Sequence, residues 1–181
     1  MAKRFSGKQI ATMSLATALI AAGAFIRIPL GMDMYITMQV FFVVLSGYLV
    51  GRASAASAFV YMVLGLVGIP IFAAGGGFYY IFKSTFGYII GFVAAAYIIG
   101  TLTKKQDCSY IRYLLSGLLG VAVIYIIGIT YLYFIVTLYL GKSVTAEYIF
   151  ITLFLTTIWK DILVTVLAAA IAKKIRRLVR Q

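Results

Sequence analysis

The chain has 181 residues, 64% of them hydrophobic and 11% charged, with sixteen Lys and Arg against four Asp and Glu and a net charge of +12. Soluble domains carry charge on about a quarter of their residues, so this composition excludes a water-soluble globule and requires lipid as the solvent. Histidine is absent, which removes the commonest metal ligand and the usual general base.

Each helical span needs roughly 20 apolar residues, and the chain has room for six with short loops. The expected fold is an all-α integral membrane protein, a six-transmembrane-helix bundle in one domain over 1–181. No room remains for a soluble catalytic module. The apolar stretch from Ile10 to Ile26 is long and lacks a persuasive cleavage site, so it reads as a span rather than a signal peptide.

The predicted spans are about 9–28, 36–51, 54–73, 80–101, 113–140 and 148–172. The first carries Ser14, Ala18 and Ala22 at four-residue spacing, a small-residue face suited either to internal packing or to a docking partner helix. Arg27 closes it, as a cation that snorkels outward or reaches a ligand. Ile28-Pro29-Leu30-Gly31-Met32-Asp33 then reads as a helix breaker. Gln39 in the second span serves a helix–helix hydrogen bond or a ligand. The third ends at Gly68-Ile69-Pro70, followed by Gly75-Gly76-Gly77. Irregular backbone at membrane depth is tolerated only inside protein or along a cavity. Segment 69–79 therefore folds back as part of a pocket, or else is an ordinary outer loop.

In the sixth span Lys160 and Asp161 are the only charged residues between Tyr148 and Ala172. A charge at bilayer depth costs at least about 2.5–3.5 kcal/mol, so the pair is a ligand site or a mutual ion pair. Thr157, Asp161 and Thr165 form one polar stripe on a continuous helix. Asp33, Asp107 and Glu147 are scattered, so neither a metal cluster nor a paired-carboxylate site is visible. Cys108 is the lone cysteine, which excludes an internal disulfide. Gly141-Lys142-Ser143 imitates the end of a phosphate-binding loop, but Val136 stands where its first glycine belongs. No ATPase or hydrolase is expected in this chain.

With six spans, Lys3, Arg4, Lys8, Arg52, Lys104, Lys105, Arg112, Lys173, Lys174, Arg176, Arg177 and Arg180 fall on one side. The other side holds Lys83, Lys142 and Arg27. The positive-inside rule then puts both termini in the cytoplasm. The same placement assigns the net charge to topology and not to nucleic acid.

Ile28-Pro29-Leu30-Gly31, then Thr37, Gln39, Phe41-Phe42, Gly47 and Gly51, resembles the start of BioY, the biotin-specific S component of energy-coupling factor (ECF) transporters. Gly65-Leu66-Val67-Gly68-Ile69-Pro70-Ile71-Phe72, Gly75–Gly77, Thr85-Phe86-Gly87-Tyr88 and Asp161 continue the resemblance over roughly 9–175. It implies a bundle in a bacterial cell membrane that captures biotin from outside. The bundle would then dock on a T component and two ATPase subunits that supply the energy, with Ser14, Ala18 and Ala22 in the docking face. Two positions depart from the family pattern: Val164 stands where many members have lysine, and Gly76 where many have asparagine. Lys160 replaces that lysine only if the backbone around Thr157–Lys160 is irregular, because helix neighbours point about 100° apart.

The resemblance gives the candidate residues roles toward biotin. Asp161 would accept from the ureido N–H groups. The backbone of Gly75, Gly76 and Gly77 would approach closely, and Phe78, Tyr80 and Tyr88 would form apolar walls with polar tips. Lys83, Lys160 or Thr85 would hold the carboxylate tail. Gln39 and Arg27 are further polar candidates. No cofactor is expected. Competing readings are an S component for a thiamine-like or riboflavin-like vitamin, and a ligand-free membrane scaffold subunit.

Overall fold

The computed structural model describes residues 6–31, 34–104, 108–141, 145 and 155–178. Asp33, Lys105, Asp107, Lys142, Glu147, the opening of the sixth predicted span and the two chain ends lie outside them. Six α-helices stand among the described residues: α1 (Gly7–Phe25), α2 (Gln39–Val50), α3 (Ser54–Val67), α4 (Phe86–Leu102), α5 (Tyr110–Phe134) and α6 (Thr156–Leu178). Ser6 caps α1 reciprocally with Gln9, as a serine followed three residues later by glutamine should. Ser109 caps α5 by accepting from the Arg112 amide at 3.2 Å.

The expectation of an all-α fold needs correction between α1 and α2. Strands β1 (Arg27–Gly31) and β2 (Met34–Thr37) pair antiparallel, with Arg27 opposite Thr37 and Pro29 opposite Tyr35. Pro29 cannot continue a helix, and the β-branched Ile28, Ile36 and Thr37 suit a ladder. The predicted breaker is therefore an ordered hairpin, and α1 ends three residues before its predicted limit. For the same reason α3 stops at Val67, where Gly68 takes a positive φ of 119° ahead of Pro70.

Helix α2 is central, packed by α1, α3, α4 and α6. Its apolar residues run all the way round, as an enclosed helix requires, and Val43, Val44 and Tyr48 are fully buried. Helices α4 and α5 pack closely because Gly91 presents no side chain to Ile124. A Cβ there would stand 2.9 Å from the Ile124 Cα. Gly91→Leu should destabilise the fold by about 1–3 kcal/mol through overpacking, read as a lower unfolding temperature in detergent.

The outside of the bundle is as apolar as its inside. Leu15, Phe25, Leu115, Ile126, Leu138, Trp159 and Leu163 are all exposed, a surface that water would penalise and lipid would not. Among the described residues, three helical runs are long and apolar enough to cross a membrane: Gly7–Phe25, Gln39–Leu66 and Tyr110–Tyr139. The middle run is interrupted at Gly51–Ala53, a 3₁₀ turn that opens with Gly51 at φ 72°.

Candidate functional site

A cavity opens between the hairpin, the start of α2, the segment before α4, the middle of α5 and the first turns of α6. Its charged focus is Asp161, 3% exposed. The Lys160 ammonium stands 2.5 Å from Asp161 Oδ1. The Tyr125 hydroxyl donates to Oδ2 at 2.6 Å. That hydroxyl has one proton, so at its 2.6 Å contact with Thr157 Oγ1 the threonine is the donor. Lys160 also donates to the Thr37 carbonyl at 2.7 Å, tying α6 to the end of β2.

Lys160 and Asp161 form the expected ion pair, and both line the cavity. The irregular backbone on which the replacement by Lys160 depends is absent at Thr157–Lys160. The backbone from Thr156 onward is regular α-helix. The four-carbon lysine stem spans the angle between neighbouring positions without any irregularity. Thr165 turns away from the site and donates back to the Asp161 carbonyl at 2.6 Å.

A second polar group sits at the start of α2. Gln39 donates from Nε2 to the Tyr61 hydroxyl at 2.7 Å, and its Oε1 accepts from Thr37 Oγ1 at 3.2 Å. Tyr61 in turn donates to the Ile71 carbonyl at 3.1 Å. One chain of hydrogen bonds thus couples the hairpin to the segment after α3. Tyr80 and Thr85 face each other with their hydroxyls 3.4 Å apart. Tyr88 meets the Tyr125 ring edge-on at 6.0 Å. Val40, Ile89, Phe92 and Ile124 complete an apolar wall.

Of the residues singled out in the sequence, the fold brings Gln39, Tyr80, Thr85, Tyr88, Lys160 and Asp161 into this cavity. Six others lie elsewhere. Gly75, Gly76 and Gly77 build the turn beside the cavity, and from that segment Ala73 supplies the lining. Gly75 and Gly77 have φ of 110° and 105°. A Cβ on Gly76 would stand 2.3 Å from the Ile69 carbonyl oxygen. A side chain at this position would not fit this turn. Phe78 is 70% exposed. Lys83 stands over the Tyr80 ring at 5.8 Å, and Arg27 over the Tyr35 ring at 4.9 Å, both outside the lining.

Sequence reasoning missed Tyr125, Tyr35 and the apolar wall. Tyr125 had a signal. Tyrosine favours membrane interfaces, yet this one lies in the middle of a 25-residue apolar helix. The face of α1 with Ser14, Ala18 and Ala22 is exposed, while Ala16, Ile20, Gly23 and Ala24 carry the internal packing.

The profile of the BioY family matches residues 1–181. A probable biotin transporter BioY of Lysinibacillus sphaericus is 33% identical over 99% of this chain and 92% of its own length. The biotin transporter BioY of Thermotoga maritima is 37% identical over 94% of this chain and 97% of its own. Among solved structures, the S-component for biotin from an ECF-type ABC transporter superposes with a TM-score of 0.77 at 23% identity. That match covers 98% of this chain and 96% of the other.

Proposed function

The chain belongs to the BioY family, and from that premise we propose that it captures biotin as the substrate-binding S component of an ECF-type transporter. It performs no chemistry itself. The observation that carries the reading is the buried Asp161 carboxylate, fixed by Tyr125 and Lys160 inside an aromatic cavity. Biotin offers two ureido N–H donors, an apolar thioether ring and a carboxylate tail. An ionised carboxylate has about four acceptor positions, and here Tyr125 uses one on Oδ2 while Oδ1 faces the Lys160 ammonium without a hydrogen bond. The rest can receive the ureido donors, while Lys160, Thr85 and Gln39 stand ready for carbonyl or carboxylate oxygens.

The six helices then form one bundle in the cell membrane, with both termini in the cytoplasm and the cavity at the outer end. Helices α2 and α3, at twelve and fourteen residues, are shorter than the hydrocarbon core and reach across it with the flanking segments of the bundle. The exposed Ser14, Ala18 and Ala22 form the face for a T component, which two ATPase subunits would drive.

Calorimetric titration of the ligand-stripped protein with biotin, thiamine and riboflavin tests the reading. Tight binding of biotin alone supports it, and a folded protein that ignores biotin overturns the substrate. Tyr125→Phe should weaken biotin binding about tenfold or more, the value of a hydrogen bond to a charged group, because Asp161 loses the donor that fixes its orientation. The same titration reads this effect.

A further inference from the structure

Gln39 and Tyr61 are both buried, but only one of them reaches the cavity. Gln39, at the first position of α2, lines it. Tyr61, in the middle of α3, has no exposed surface and stands outside the lining, its ring edge-on to Phe72 at 5.3 Å. The two meet where the Gln39 amide nitrogen donates to the Tyr61 hydroxyl at 2.7 Å. At the other end of the amide, Thr37 Oγ1 donates to Oε1 at 3.2 Å, and it accepts from the Gln39 backbone N–H at 3.4 Å. The Thr37 carbonyl accepts from Lys160 at 2.7 Å. The amide and the Lys160–Asp161 pair therefore border the same part of the cavity.

A side-chain amide can be turned over, exchanging its oxygen for its nitrogen with almost no change of shape. Here the order of donors prevents it. The Ile71 carbonyl can only accept, and it takes the one proton of the Tyr61 hydroxyl at 3.1 Å. The Tyr61 oxygen is then left to accept, so it must face the amide nitrogen. Turned over, the amide would set Oε1 against that oxygen, two buried acceptors with no proton between them. Thr37 does not decide the matter, because a hydroxyl can meet either end of an amide, as donor or as acceptor. In the fixed orientation one Nε2 hydrogen remains for a ligand. The turned amide would put an acceptor in its place.

We propose that Tyr61, without touching the ligand, selects a ligand that presents a hydrogen-bond acceptor to Gln39, as the ureido carbonyl of biotin does. Tyr61 is a positioning residue that acts through the Gln39 amide. The inference rests on the reading of biotin as the substrate and adds a source for its selectivity.

Calorimetric titration with biotin and with 2-iminobiotin, in which a protonated N–H group replaces the ureido oxygen, tests the proposal. The parent protein should prefer biotin. Tyr61→Phe keeps the ring against Phe72 and removes only the hydroxyl, so the amide is free to turn over and suit either ligand. The ratio of the two affinities should fall about tenfold, the value of a hydrogen bond to a charged group. A merely structural role for Tyr61 would weaken both ligands alike and leave the ratio unmoved. Gln39→Leu should lower the ratio as far, and adding Tyr61→Phe to it should lower it no further. Thr37→Val should keep the parent's ratio, whatever it costs in affinity, and this variant keeps the test open should Tyr61→Phe fail to fold. An unchanged ratio in Tyr61→Phe, a further fall in the double variant, or a lost preference in Thr37→Val overturns the proposal. A parent protein that binds both ligands equally overturns this proposal alone, whereas one that binds neither overturns the substrate reading and this proposal with it.

Discussion

Asp161→Ala is expected to weaken biotin binding by about 2–5 kcal/mol, the cost of removing one partner from a desolvated charged contact. That corresponds to roughly thirtyfold to several thousandfold in affinity. The size of the effect follows from burial. Asp161 is 3% exposed, so water does not replace the lost acceptor. The substitution also leaves the Tyr125 hydroxyl without its carboxylate and the Lys160 ammonium without its counter-charge. Calorimetric titration of the purified variant measures the change directly. Unchanged affinity in a variant that still unfolds cooperatively would remove Asp161 from the site.

Lys160→Met should act first on the empty protein. Breaking a buried ion pair by removing one member costs about 3–5 kcal/mol, since the remaining charge stays buried and uncompensated. The variant also loses the 2.7 Å bond from Lys160 to the Thr37 carbonyl, which holds the hairpin against α6. The ligand-free variant should therefore unfold at a clearly lower temperature in detergent. Adding Asp161→Asn should restore much of that loss while biotin binding stays weak, because the neutral pair no longer strands a charge. If Lys160→Met unfolds where the parent does, the ion pair contributes nothing to holding the site together.

Much of the site's chemistry is legible in the residue order. Two adjacent charges in an apolar segment are conspicuous because lipid penalises them, and both line the cavity. The glycine run is equally conspicuous, but its role is read differently once folded. Positive φ at Gly75 and Gly77, with no room for a Cβ at Gly76, makes the run a turn that positions Ala73 and Tyr80. The hairpin was hidden for a related reason. Arg27–Thr37 contains a proline and few residues, so its apolar pattern gives no clear strand period, and only the pairing of β1 with β2 distinguishes it from a loop.

The sequence by itself determined the solvent, the helical segments and the carboxylate to watch. These depend on composition and on periodicity along the chain, which act locally. The tertiary structure alone decided who meets whom. Tyr125 reaches Asp161 across 36 residues, and Lys160 reaches Thr37 across 123. Such meetings depend on how each helix is rotated about its own axis. That rotation is set by packing among all the helices at once, as where Gly91 lets α4 settle against Ile124 of α5, and no local pattern encodes it.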